Sequence, residues 1–104
     1  MNLAELKQIL DATGHTVAYS HFTAPPSPPY VCYLVAYSSN FIADNKVYHK
    51  IDIVQIELYT TKKDLVAEGK LEKVLDDNDI PYESTETFIE SEKLFQKIYE
   101  VRMI

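Results

Sequence analysis

At 104 residues, 46% hydrophobic and 25% charged, the chain is sized for one domain with a single modest core. Its composition excludes a disordered chain, and no stretch reaches the roughly 18 apolar residues of a membrane helix. The net charge of −6 is placed unevenly: from Asp64 to Glu92 ten acidic residues stand against Lys70 and Lys73, which weighs against a nucleic-acid face there.

Such an acidic surface keeps a protein in solution, repels phosphate or docks a basic partner. The lone cysteine, Cys32, cannot form an internal disulfide, and it lies in an apolar run where a small buried side chain is expected. The opening MNLAELKQIL places Glu5 early and has no basic stretch ahead of an apolar one, so it does not read as a signal peptide and a cytoplasmic product is expected.

In chain order, Asn2 with Glu5 three residues later forms a capping-box-like pair. Leu3, Leu6, Ile9 and Leu10 share a helical face, and Gly14 offers a left-handed stop, so the spacing predicts a helix from Leu3 to about Thr13. His15–Phe22 reads as a strand from Thr16, Val17, Tyr19 and Phe22. TAPPSPPY follows. Its prolines fix their own φ and push the preceding residues toward extended conformations, which predicts a stiff connector.

Tyr30–Tyr37 reads as a strand apolar on both faces, hence central and covered on both sides. SSNFIADNKVY (residues 38–48) then reads as a loop without glycine that displays Phe41 and Ile42, with Asn40, Asp44 and Asn45 serving its backbone groups. Val47–Thr60 is the longest strand-like segment. Its apolar positions change phase, from Val47, Ile51 and Ile53 to Val54, Ile56 and Leu58. That slip predicts a bulge near Ile53–Val54, or else a strand that passes from one buried surface to another.

Thr61 with Asp64 reads as a second capping box, ahead of a helix whose inner face is Ala67, Leu71, Val74 and Leu75 and which ends near Asn78 and Pro81. Strands Tyr82–Ile89 and Leu94–Ile104 complete the chain, the last with Phe95, Tyr99, Val101 and Met103 on one face. The order α-β-β-β-α-β-β predicts an α+β fold with a mainly antiparallel sheet, one domain over residues 1–104. Two helices can cover one face of that sheet. The apolar second face of Tyr30–Tyr37 must then be covered by a hairpin or by a neighbouring subunit.

Patterns that carry chemistry do not emerge. His15 and His21 share strand parity but stand about 20 Å apart at 3.3 Å per residue, too far for one metal ion. Ser20 and His21 are strand neighbours pointing to opposite faces. Two glycines, Gly14 and Gly69, cannot build a phosphate-binding loop, and zinc and calcium spacings are missing. Neither an enzyme nor a cofactor or metal site is expected. PPSPP holds two overlapping PxxP registers, Pro25/Pro28 and Pro26/Pro29, but no basic residue flanks them. A rigid connector is its plain reading.

The segment PPYVCYLVAYSSNFIADNKVYHKIDIVQIELYT, with Pro-Pro-Tyr entering an apolar strand, Asn40-Phe41-Ile42-Ala43-Asp44-Asn45 before Val47-Tyr48, and Glu57-Leu58-Tyr59-Thr60 leading to a helix, resembles the small tail-completion proteins of long-tailed phages and prophages. IPYES and FIESEKLFQKIYE continue the likeness, which spans nearly the whole chain. The resemblance implies a fold similar to the lambda tail terminator. It also implies a homo-oligomeric ring, typically hexameric, at the head-proximal end of the tail tube. There the ring would stop tube growth and join the tail to the head through contacts with the tail tube protein and a head–tail connector protein. DNA would pass through the lumen without specific binding, no membrane would be involved, and the protein would be assembled in the bacterial cytoplasm into the virion. Pro26, Pro29, Tyr30, Asn40, Phe41, Ile42 and Asp44 are the residues expected at its protein interfaces. The alternative is a small cytoplasmic adaptor or inhibitor that binds a partner protein through the proline loop or the acidic helix.

Overall fold

A computed structural model of the chain describes residues 1–38, 41–43, 46–49 and 51–103; for 41–43 and 46–49 the description is of the backbone alone. Helix α1 spans Leu3–Asp11. Asn2 caps it, its Oδ1 accepting from the Glu5 N–H at 2.8 Å. Gly14, at φ 83°, takes the left-handed conformation expected after the helix.

Strand β1, Thr16–Tyr19, is shorter than the sequence predicts. It stops because Ser20 turns to φ 66° while its N–H still donates to the Tyr33 carbonyl at 2.8 Å. Strand β2 is Tyr30–Ser38.

The segment expected to be a loop is instead paired backbone. Strand β3, Phe41–Ala43, lies antiparallel to β4, Lys46–His49, with Phe41 opposite His49 and Ile42 opposite Val47. Phe41, Ile42, Val47 and Tyr48 are β-branched or aromatic, which suits a short two-stranded ladder. The chain then starts a new strand, β5, at Asp52–Thr60. The long predicted strand Val47–Thr60 is therefore two strands belonging to two sheets.

Helix α2 spans Leu65–Asp77. Its cap is Asp64, which accepts from the Ala67 N–H at 3.0 Å, and not Thr61. A charged carboxylate complements the helix N-terminus better than a hydroxyl does. At the other end Asp79 adopts φ 55° and the Ile80 N–H reaches back to the Leu75 carbonyl at 2.9 Å. Strands β6, Tyr82–Ile89, and β7, Leu94–Met103, form the closing hairpin.

The main sheet runs β1-β2-β5-β7-β6, parallel between β1 and β2 and antiparallel elsewhere. The fold is α+β, with the predicted order of two helices and five sheet strands. The bulge lies on β2, between Val35 and Tyr37, and not on β5. It faces the predicted position, because Val35 pairs with Val54 and Tyr37 with Ile53. The phase change in β5 has the other predicted cause: Val54, Ile56 and Leu58 face the helices while Ile53 is buried on the opposite side.

Both helices pack on one face. Leu6, Leu10, Ala67, Leu71 and Leu75 meet Val31, Tyr33, Val54, Ile56, Leu58, Tyr99 and Val101 in a single core. Deep burial of these side chains is the main stabilising term of the domain.

Candidate assembly interface

The sheet presents a second face, away from the helices. Strand registers place three rows across it: Tyr30–Tyr59–Gln96–Thr87, Cys32–Glu57–Ile98–Thr85 and Leu34–Gln55–Glu100–Glu83. One end is closed by the chain itself. Phe22 sits edge-on to the Tyr30 ring at 5.4 Å, and Tyr30 stacks on Tyr59 at 4.9 Å. The proline connector holds this lid in place, since Ser20, His21, Phe22 and Pro25 line a cleft with Tyr30, Cys32 and Tyr59. Toward β6 no element covers the sheet among the described residues, and Thr85, Thr87 and Glu83 are exposed.

Electrostatics on this face reflect partial dryness. Burial pushes the Glu57 carboxyl above its usual range, only partly offset by the Tyr59 hydroxyl, which donates to its Oε1 at 3.1 Å. Burial, with the Glu57 charge opposite it, drives the Cys32 thiol up to about 11. Cys32 therefore stays protonated and unreactive at neutral pH, as a small apolar side chain. Burial and then Glu57 also raise Tyr59, which accepts from the Gln96 amide at 2.9 Å.

The sequence-predicted residues do not form one patch. Tyr30 is 7% exposed, its ring taken up by Phe22 and Tyr59, so it belongs to the interior of this face and is not a free contact residue. Pro26 is half-buried and Pro29 exposed in the connector. Phe41 and Ile42 belong to β3, which follows the far end of β2, about 26 Å from Tyr30 along that strand at 3.3 Å per residue. Asn40 and Asp44 lie outside the described residues, as do the side chains of Phe41 and Ile42. The proline lid and the β3–β4 pair are thus two separate features at opposite ends of β2.

Sequence reasoning missed a charged network on the helix side. Glu68, 5% exposed, receives Lys97 Nζ at 2.8 Å and Lys63 Nζ at 2.9 Å, and Lys63 also reaches Glu86 at 2.8 Å. Burial opposes the Glu68 charge, but hydrogen bonds from Lys97 and Lys63 outweigh it and hold the carboxyl below its ordinary range. The buried Tyr99 hydroxyl donates to Glu72 Oε2 at 2.7 Å. The available signal was Lys97 at the same strand parity as Tyr99 and Val101, a charge on an otherwise apolar face.

Among the described residues no group of His, Cys, Asp and Glu side chains is arranged to hold a metal ion. His15 Nε2 lies 3.2 Å from the Ala67 carbonyl, a contact that ties β1 to α2. No helix of the described residues is long and apolar enough to cross a membrane. No protein-family model matches the chain, and no curated protein matches it.

Proposed function

We propose that this protein is a structural subunit of a phage tail. It forms a ring at the head-proximal end of the tail tube, ends tube growth and joins the tail to the head. The observation that carries the reading is the unequal finish of the two sheet faces: one is sealed by helices, the other is half-covered and ends in exposed strand surface. A half-dry face with Leu34 and Ile98 partly exposed is suited to contacts between copies arranged head to tail around a closed ring. The β3–β4 pair extends the β2–β5 hairpin as a second small sheet and supplies a projection for contacts with the tail tube protein. The ordered likeness to tail-completion proteins supports the same reading. The acidic excess suits a channel that lets DNA slide without holding it.

Deleting the protein from its phage tests this. Tubes of uncontrolled length, or tails and filled heads that fail to join, are expected, and rings should be visible by negative stain on tube ends when the protein is restored. Normal virions in its absence overturn the proposal. Phe41→Ser sharpens the assignment: assembly on tubes should fall while the melting temperature of the isolated chain is nearly unchanged. Equal loss of both would place Phe41 in the domain core.

A further inference from the structure

The two edges of the main sheet are finished differently. On one side β1 has four residues and is bounded by the Ser20 turn and the proline connector. On the other side β6 runs regularly for eight residues, each paired with β7 and, among the described residues, with no strand beyond it. Tyr82–Ile89 has no lysine, proline or bulge to keep it from pairing with another chain, and its only charges, Glu83 and Glu86, are acidic and so deter an acidic strand but not a basic one. Its outer amides and carbonyls are thus a template for an added strand.

Two clefts border this strand. One, of about 370 Å³, is lined by Pro81, Tyr82 and Glu83 with Tyr37, Ile53, Glu100 and Arg102. The other, of about 170 Å³, is lined by Glu83, Ser84, Thr85, Gln55, Ile98 and Glu100. Glu83 and Glu100 line both, and they face each other directly in the β6–β7 register. Like charges in that position destabilise a sheet, and no salt bridge within the described residues relieves Glu83 or Glu100. Arg102 opposes the two carboxylates only in the larger cleft.

We propose that the β6 edge binds an extended segment of another protein that carries alternating lysine or arginine side chains. The segment adds a strand beside Tyr82–Ile89. Its basic side chains enter the clefts, their methylene stems lying on Ile53 and Ile98 and their charges meeting Glu83 and Glu100. A second copy's own β6 is a poor occupant, because on this face it brings a further Glu83 toward the same carboxylates and no cation. The proposal does not rest on the ring reading and holds for a monomer equally.

The test is an amide-resolved NMR titration of the full chain with two synthetic peptides, TKVKVKT and TEVEVET. The basic peptide should shift amides of Tyr82–Ile89 and bind at least about tenfold tighter than the acidic one, the effect of two or three exposed ion pairs. Its binding should weaken with salt. Glu83→Lys, an exposed position that leaves the core untouched, should reverse the preference between the peptides. Ser84→Pro should abolish binding of the basic peptide, provided its far-UV circular dichroism matches the parent. Shifts centred on β1 or absent from β6, equal binding of both peptides, or self-association of the free chain through β6 would each overturn the proposal.

Discussion

One strand, β5, separates two chemistries. Val54, Ile56 and Leu58 face the helices and are all but fully buried, within a core to which Leu6, Leu10, Leu71 and Leu75 contribute. Gln55, Glu57 and Tyr59, their neighbours in sequence, face the other way and are half-buried. Charge is handled oppositely on the two sides. Glu68, behind the helix, is enclosed but matched by two lysines, so its ionised form is favoured. Glu57, on the other face, is half-dry with only a hydroxyl for company, so its ionised form is disfavoured. A charge under a helix must be paired for the domain to fold, whereas a half-covered face, with solvent beside it, tolerates an ill-matched one.

That contrast can be broken most directly by truncating one apolar side chain on each face. Leu71→Ala should cost about 3 kcal/mol, since it opens a cavity in a sealed core. Ile98→Ala, on the half-covered face, should cost about 1 kcal/mol. Denaturant unfolding of both variants measures the difference, and equal costs would erase the distinction between the faces.

Next in size is Lys97→Met. It leaves Glu68 buried with Lys63 as its remaining cation and should destabilise by about 2 kcal/mol near neutral pH. Because the folded Glu68 carboxyl is held low, its stabilisation is present above the ordinary carboxylate pKa and is lost as pH falls through the lowered folded value. The deficit of the variant should therefore shrink in acid. Tyr99→Phe, which removes the 2.7 Å hydrogen bond to Glu72, should cost about 1.5 kcal/mol in the same assay.

The smallest expected effect has the opposite sign. Glu57→Gln should stabilise the isolated domain, on the order of 1 kcal/mol, by removing a disfavoured charge. With the folded pKa raised, the parent loses stability as pH rises through that value, so the gain should be present at neutral pH and vanish in acid. Thermal melts at several pH values would show Lys97→Met and Glu57→Gln bending in contrary directions. Parallel pH profiles would refute the electrostatic contrast.

The helices were legible because their signals are local. Asn2 caps α1 and Gly14 stops it as expected, and the apolar spacing marks both helices, although α2 is capped by Asp64 and not Thr61 and its left-handed residue is Asp79 and not Asn78. Strands β2, β6 and β7 were legible to within a residue for the same kind of reason, an apolar or β-branched run bounded by turn residues. The β3–β4 pair was not, since a short ladder of mixed residues has no glycine turn and weak alternation to mark it. The surroundings of the residues expected at an interface were the least legible. Tyr30 is expected at a protein interface, on the second apolar face of its strand, but Phe22, brought back by the proline connector, covers it.

By itself the sequence determined the two helices, the five strands of the main sheet, their order and the α+β class, because capping, periodicity and turn chemistry act over a few residues. Only the tertiary structure decided three other things. It set which strand carries the bulge, joined Lys63, Glu68 and Lys97 from three separate segments into one network, and left β6 at an open edge while β1 was curtailed. Each depends on which strands lie side by side. Register and neighbourhood are set by burying the whole core at once, a condition that no local stretch of chain contains.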